Sequence, residues 1–178
     1  MMSTRFTGMA AGTSLISVEE YLRMHTDPDC EYVDGVIEER AVGEYDHATW
    51  QAILVSFFMQ RGPELGIRTR PELRIRVSPR RFRVPDVTIL SREAPREQVV
   101  THPPLAVFEI LSPEDTMTRM LAKLADYEQM GIGAIWVIEP RKPAYFHFSE
   151  GKLVPEPVFR LPGTSFSVPI DEIAKLID

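Results

Sequence analysis

Two acidic residues stand inside apolar runs that have the composition of buried strands. Asp86 lies in VPDVTIL, and Glu109 lies in LAVFEIL, just before SPED. A carboxylate in such surroundings loses its hydration, so it must be paired, protonated or bound to a metal ion. Two carboxylates that meet at one position of a sheet repel unless a cation lies between them, and oxygen ligands suit Mg²⁺ or Mn²⁺. Asp86 and Glu109 are therefore candidate metal ligands.

Each acid also has a structural interpretation. Asp86 follows Pro85, and proline is tolerated in a sheet only at an edge, a strand start or a bulge. Asp86 could thus be a strand-edge aspartate, at a point where the hydrogen-bond ladder is locally broken. Glu109 could form a buried ion pair, for example with an arginine from residues 68–83.

Lys123 is the third candidate. It lies in TRMLAKLADYEQMGI, which predicts a helix directly after the Glu109 strand. Because a crossover helix packs over the sheet that it has left, Lys123 can reach back toward Glu109. A lysine beside a metal ion can orient or deprotonate a water molecule and stabilise developing charge. The alternative is a solvated lysine on an exposed helix face.

The elements that position these residues follow from local patterns. Helices are predicted over residues 17–24, 46–61, 116–130 and 169–178, and hairpin turns at Asp34-Gly35 and Glu150-Gly151. Strands are predicted over LRIRV (73–77), FRVPDVTIL (82–90), residues 105–111 and GAIWVIEP (133–140). This order predicts an α/β (α+β) domain with a mixed sheet and helices packed on it.

Some boundaries of these elements are predicted from single residues. Ser17 is the expected N-cap of the first helix, since Glu20 completes a capping box. Asp46 is the expected N-cap of the second helix, and Gly62-Pro63 its expected end. We expect residues 1–14 to form a disordered arm and residues 15–178 to form one domain.

Several of these segments resemble one nuclease family. Pro85-Asp86 and the Glu109 strand resemble the PD-(D/E)XK nuclease superfamily, although leucine stands at position 111, where Glu-x-Lys would place lysine. The Uma-type family of bacterial proteins, described as restriction endonucleases, takes its lysine from the following helix instead. The segments similar to that family's motifs in order and spacing are CEYVDG (30–35), EILSPE (109–114), KLADYEQMGI (123–132) and IWVIEP (135–140).

The resemblance implies a restriction-endonuclease-like core, with a central mixed β-sheet flanked by helices and an N-terminal hairpin. It implies a metal-dependent DNA endonuclease in which Asp86 and Glu109 bind Mg²⁺ or Mn²⁺ and Lys123 positions the attacking water. It also implies that Glu31 is a further metal ligand or water-holding residue and that His47 is an additional site residue. The alternatives are an exposed acid for Glu31 and a helix-start histidine for His47.

One position departs from the family pattern. The family often has an acid four residues before the lysine, and Arg119 stands there in this chain. A cation in that place repels Lys123 and lowers its pKa modestly. This departure and the overall acidic charge leave open a nuclease-fold binding module that does not cut. A second alternative is a metal hydrolase of small phosphoesters, whose cleft should be closed and narrow, whereas a nuclease needs an open groove with basic walls.

Positive charge is concentrated in one segment. The net charge is −6, which does not favour nucleic-acid binding, yet residues 68–83 hold seven arginines and one glutamate. Arg68, Arg70, Arg74 and Arg76 share one parity, as on one face of a strand. Because the arginine fork fits phosphate oxygens, the candidate DNA contacts are Arg74, Arg76, Arg81 and Arg83. The alternative is a solvated sheet face.

Composition bounds the remaining expectations. Cys30 is the only cysteine, and no stretch approaches the roughly 20 apolar residues of a membrane span. We therefore expect a cytoplasmic protein with no membrane partner. We also expect a homodimer, because a nuclease that cuts both DNA strands commonly works as a two-fold dimer.

Overall fold

The structure, a computed structural model, describes residues 15–24, 30–41 and 43–177. The predicted arm, residues 1–14, lies outside that part of the chain. The helices are α1 Val18–Arg23, α2 Tyr45–Leu65, α3 Met117–Met130 and α4 Ile170–Ala174. The strands are β1 Cys30–Val33, β2 Val36–Glu39, β3 Ile67–Pro71, β4 Ile75–Ser78, β5 Arg81–Arg83, β6 Val87–Ser91, β7 Ala106–Ile110, β8 Ala134–Glu139, β9 Ala144–Ser149, β10 Lys152–Pro155, β11 Val158–Arg160 and β12 Ser167–Pro169.

A mixed sheet forms the centre of the fold, as predicted. Its six strands follow the order β10-β9-β8-β7-β6-β3. The β7–β8 pair is parallel because α3 carries the chain across the sheet between them, and the other pairs are antiparallel. Asp86 directly precedes β6, and Glu109 lies near the end of β7, so the antiparallel pairing of these strands puts both acids at the same end.

Helices cover both faces of this sheet. On one face, Trp50 and Phe58 of α2 pack with Phe108 of β7. On the other face, Leu124 and Tyr127 of α3 pack against inward-facing residues of β7 and β8. Successive strand residues point to opposite faces, so Phe108 faces α2 and Glu109 faces α3. The alternation of β7 therefore turns Glu109 toward the helix that carries Lys123.

A second sheet lies beside the first. Its four strands follow the order β2-β1-β5-β4, so the predicted N-terminal hairpin pairs with β5. Asp34 and Gly35 have φ of 51° and 102°, which suits the tight two-residue turn that the sequence predicts. This sheet brings Glu31 of β1 close to Arg83 of β5.

The boundaries of α2 differ from the prediction. Glu44 is the N-cap rather than Asp46, and the helix continues through Gly62-Pro63 to Leu65. Pro63 lies in the last turn of the helix, so its missing N–H removes a hydrogen bond only near the C-terminal end. Gly66, with φ of 64°, ends the helix instead. The C-terminal helix is also shorter than predicted.

The arginine-rich segment does not form one strand. β3 and β4 belong to different sheets, and Glu72, with φ of 48°, lies in the turn between them. The prediction that one strand face carries Arg68, Arg70, Arg74 and Arg76 is therefore wrong. FRVPDVTIL likewise divides into β5 and β6, and the predicted break at Asp86 is confirmed.

Candidate active site

One cleft collects the sequence-predicted site residues. It has a volume of about 260 Å³ and lies where the four-stranded sheet meets the ends of β6 and β7 and the start of α2 and α3. Its lining includes Asp86, Glu109, Lys123, Glu31 and His47. These residues are spread over nearly a hundred positions of sequence, so only the tertiary fold brings them together.

Glu109 is buried against α3. One carboxylate oxygen, Oε2, lies 2.8 Å from Lys123 Nζ, and the other, Oε1, accepts a hydrogen bond of 2.7 Å from the Tyr127 hydroxyl. Lys123 and Tyr127 are one helical turn apart, so both reach the same carboxylate. The buried partner of Glu109 is thus this lysine rather than an arginine of residues 68–83.

Lys123 bridges the two sheets. Its Nζ lies 2.9 Å from Glu31 Oε1 and 2.8 Å from Glu109 Oε2, and it donates to the Val84 carbonyl at 3.3 Å. Arg119, one turn earlier on α3, reaches away to the Glu39 carbonyl at 3.0 Å. Arg119, which departs from the family pattern, therefore lies against the N-terminal hairpin, and the amine of Lys123 points into the cleft.

Asp86 is held by three donors. Arg40 Nη2 donates to Oδ1 at 2.9 Å, and the Ile110 backbone N–H donates to Oδ2 at 2.7 Å. His47 Nε2 lies 3.2 Å from Oδ2. Because Ile110 follows Glu109, the backbone contact fixes the Asp86 carboxylate next to the Glu109 position.

The electrostatics of the acids differ. Burial raises the pKa of Glu109 to about 7, and the charges of Asp86 and Glu31 act in the same direction. Burial also raises the pKa of Asp86, but the His47 hydrogen bond and the charge of Lys123 outweigh it, so the net pKa falls. Burial lowers the pKa of Lys123, but Glu109 and Glu31 outweigh it and raise the pKa overall.

The raised pKa of Glu109 predicts a pH dependence of stability. Between its ordinary value of 4.5 and the folded value of about 7, the folded protein binds more protons at this carboxyl than the unfolded chain does. The free energy of unfolding therefore falls as the pH rises through that window. Glu109→Gln removes the titration, so its free energy of unfolding in metal-free buffer should decline less than the parent's.

Urea unfolding of both proteins at several pH values measures this difference. The lowered pKa values of Asp86 and Glu31 remove stability only at lower pH, and they do so in both proteins. Parallel stability curves for parent and variant across the window would contradict the expectation.

The donor chemistry of the cleft fits a hard divalent cation at two of the three acids. Asp86 and Glu109 supply carboxylate oxygens, which suit such a cation. Burial raises the pKa of Glu109, and the charge of Asp86 adds to that effect, so a cation between the two carboxylates would offset their repulsion. Glu31 accepts from two permanent cations, Lys123 and Arg83, and from the Val84 N–H, whereas Asp86 contacts one permanent cation, Arg40. No group of three or more His, Cys, Asp or Glu side chains converges as a metal cluster in the part of the chain that the structure describes.

Sequence reasoning missed three residues of this region. Tyr127 carries a signal, since it lies four residues after Lys123 in a helix that packs on the sheet. Asp126 is buried and binds Arg83 at 2.8 Å and Arg81 at 2.7 Å, although nothing local marks it. Arg40 follows β2 and approaches Asp86 only through the pairing of distant strands.

The four arginines proposed as DNA contacts lie in two environments. Arg83 is 3% exposed and binds Glu31, Glu38 and Asp126, so its guanidinium faces the interior. Arg81 binds Asp34 as well as Asp126. Arg74 and Arg76 lie outside the cleft, with guanidinium carbons 4.8 Å and 5.7 Å from the ring centroids of Tyr21 and Phe82.

A mixed sheet, flanked by helices and joined to an N-terminal hairpin sheet, places the protein in the α/β class. The chain belongs to the Uma2 family, described as "Putative restriction endonuclease", whose family model matches residues 18–170. Family and fold together support a nuclease.

A solved structure shares the fold. It is described as a putative nuclease belonging to DUF820 from Anabaena variabilis, with a TM-score of 0.77 and 23% sequence identity. The match covers 92% of this chain and 99% of that one. No curated protein sequence matches the chain significantly. None of the helices in the described residues combines the length and apolar character needed to cross a bilayer.

Proposed function

We propose that the protein is a metal-dependent DNA endonuclease that hydrolyses phosphodiester bonds in the cleft. The observation that carries the proposal is the position of Lys123 Nζ, 2.8 Å from Glu109 and 2.9 Å from Glu31, in the cleft that Asp86 also lines. A positioned amine beside Glu109, in a cleft that Asp86 also lines, supports the proposal of a site with two acids and a lysine. The sequence family supports nucleic acid as the substrate.

Asp86 and Glu109 would hold Mg²⁺ or Mn²⁺. When bound, the cation supplies positive charge at the scissile phosphate and lowers the pKa of a coordinated water. The N–H of Ile110 and the side chains of Arg40 and His47 orient the Asp86 carboxylate for this task. The Tyr127 hydroxyl does the same for Glu109.

Lys123 acts in this proposal as a charged hydrogen-bond donor. Its pKa is raised by Glu109 and Glu31, so the amine keeps its proton near neutral pH. It can therefore orient the attacking water and stabilise negative charge on the phosphate, but it is not suited to deprotonate the water. Glu31, held by Arg83 and Val84, would fix the amine in position rather than serve as a main metal ligand.

Incubation with different phosphate esters tests the substrate class. Supercoiled plasmid, single-stranded DNA, bis(4-nitrophenyl) phosphate and 4-nitrophenyl phosphate would each be incubated with the protein in Mg²⁺ and in Mn²⁺. We expect nicking or linearisation of the plasmid. Hydrolysis of the small esters alone would identify a small-molecule phosphoesterase, and DNA binding without hydrolysis would identify a binding module.

We also propose that Arg74 and Arg76 contact the phosphates of bound DNA, with a smaller contribution from Arg81. Arg76 is exposed and Arg74 is partly exposed, and their guanidinium groups lie over two rings of one aromatic cluster, Tyr21 and Phe82. Replacing both Arg74 and Arg76 by Gln should weaken DNA binding in Ca²⁺. The salt slope of log affinity should fall by roughly one for each phosphate that the variant no longer neutralises.

Fluorescence anisotropy at several NaCl concentrations measures that effect. Arg160→Gln, an exposed arginine of β11, serves as the control. The cleavage rate at saturating DNA should change little in the double variant. An unchanged salt slope in the Arg74/Arg76 variant would remove these two residues from the nucleic-acid surface.

Two further expectations belong to this proposal. A two-fold homodimer would present one cleft to each strand of a duplex, which is the usual arrangement for cutting both strands. Sedimentation velocity of the free protein tests the dimer. A cytoplasmic location remains a prediction from the sequence.

A further inference from the structure

Arg40 is a cation of the cleft to which the sequence assigns no role. It follows β2, its side chain is 14% exposed, and it lines the cleft together with Asp86. Its Nη2 lies 2.9 Å from Asp86 Oδ1, and its Nη1 lies 3.3 Å from Glu72 Oε1. The guanidinium therefore has one buried anchor and one partner at the surface.

The partner at the surface is weakly held. The Glu72 side chain is 51% exposed, and its distance from Arg40 is longer than the distance between Arg40 and Asp86. Exposed ion pairs contribute little, because water and salt screen them. Arg40 can thus exchange the Glu72 carboxylate for another anion at small cost and still be oriented by Asp86.

The other arginines of the cleft are less suited to receive an anion. Arg83 has a side chain only 4% exposed and is bound to three carboxylates. Arg119 is 57% exposed and reaches the backbone of Glu39 at the hairpin. Arg40 alone among the cleft-lining arginines of the described residues combines a fixed position beside Asp86 with an exchangeable partner.

We propose that Arg40 contacts a phosphate of the bound nucleic acid, with the Glu72 carboxylate occupying the place that a phosphate oxygen takes on binding. A guanidinium fork presents parallel N–H donors that match phosphate oxygens, and its charge is permanent. The Asp86 contact would place this phosphate beside the two candidate metal ligands. The inference rests on the proposed function, since it assumes a nucleic-acid substrate.

Two substitutions with opposite expected effects test the inference. Arg40→Gln should weaken binding of a fluorescein-labelled 20-base-pair duplex in Ca²⁺ by about tenfold and lower the salt slope by about one. Glu72→Gln removes the competing carboxylate and should tighten binding by about two- to fivefold. Arg40→Lys keeps the charge without the fork, so its affinity should lie between those of the parent and Arg40→Gln.

A purely structural role would give a different result. If Arg40 only neutralises Asp86, Arg40→Gln would lower the melting temperature while duplex affinity and salt slope stayed at parental values, and Glu72→Gln would leave affinity unchanged. Parental affinity in Arg40→Gln, or parental affinity in Glu72→Gln, would overturn the inference. If Arg40→Gln fails to fold, the opposite-sign change expected in Glu72→Gln still decides the question.

Failure of this inference can be separated from failure of the proposed function. A parent that cleaves plasmid, with unchanged affinities in both variants, contradicts only the role of Arg40. A parent that binds but never cleaves, with the predicted changes in affinity, contradicts only the nuclease proposal. A parent that binds no duplex at any salt concentration contradicts both.

Discussion

Asp86→Asn and Glu109→Gln are each expected to lower the rate of plasmid cleavage by more than about 10²-fold. Substituting groups that merely support a metal ligand commonly costs about 10- to 100-fold, and removal of a ligand itself should cost more. Each change removes one charge and keeps nearly the same shape. Binding of Mn²⁺, followed by electron paramagnetic resonance, should weaken in both variants, which gives a measurement independent of turnover.

Glu114→Gln is the matched control for these two variants. Glu114 is an exposed acid that lines the same cleft, so its replacement changes the local charge without touching Asp86 or Glu109. It should cleave at close to the parental rate. Equal reductions in all three variants would mean that the cleft needs negative charge in general, and the two-ligand assignment would then be wrong.

The stability of the two variants should differ. Glu109→Gln removes a buried carboxyl whose pKa is raised to about 7, so stability near neutral pH should hold or rise. Asp86→Asn should destabilise the protein, because Arg40 and His47 lose the anion that they share. A relief of repulsion, which the sequence alone suggests for both acids, is therefore expected only at Glu109.

Lys123→Met should reduce the cleavage rate by roughly 10²-fold or more, the usual scale for losing one hydrogen-bond donor that stabilises charge in the transition state. Methionine keeps most of the side-chain length and lacks the amine that lies 2.8 Å from Glu109. Lys123→Arg should rescue poorly, since a guanidinium is larger than the ammonium group that lies between Glu31 and Glu109. Single-turnover kinetics in Mg²⁺ with excess enzyme measures the chemical step.

DNA binding separates a catalytic role of Lys123 from a structural one. Affinity in Ca²⁺ should survive Lys123→Met, because the proposed phosphate contacts lie on other residues. Removing the lysine also leaves Glu31 and Glu109 without the buried cation between them, so the double variant Lys123→Met/Glu31→Gln is included to restore charge balance. A folded Lys123 variant that cuts at the parental rate would refute the assignment.

The central part of the site was predictable because its signals are local. Asp86 and Glu109 stand out as charges in apolar strands, and Pro85 marks the break that frees Asp86 from the ladder. The alternation of β7 and the crossover through α3 then bring Lys123 to Glu109. Each step needs only the period of a strand, the period of a helix and the direction of one connection.

The surroundings of the site were not predictable in the same way. Arg83 and Asp126 form a buried ion pair, which the partly exposed Arg81 joins, because β1, β5 and α3 meet, and no short stretch of sequence records that meeting. The arginine-rich segment looked like one strand face, but the turn at Glu72 sends its two halves into different sheets. Arg68 and Arg70 therefore have different surroundings from Arg74 and Arg76, although all four have even numbers in one segment.

Cleavage of supercoiled plasmid during a Mg²⁺ titration is the decisive test of metal-dependent DNA hydrolysis by this protein. The protein would be stripped of metal with EDTA, and Asp86→Asn prepared in parallel would show any contaminating nuclease. A metal-dependent nuclease should produce no nicking without a divalent cation, saturable nicking as Mg²⁺ or Mn²⁺ is added, and none above background in Asp86→Asn. Nicking that persists in EDTA, nicking by Asp86→Asn at the parental rate, or bound plasmid that stays intact at every cation concentration would contradict this expectation.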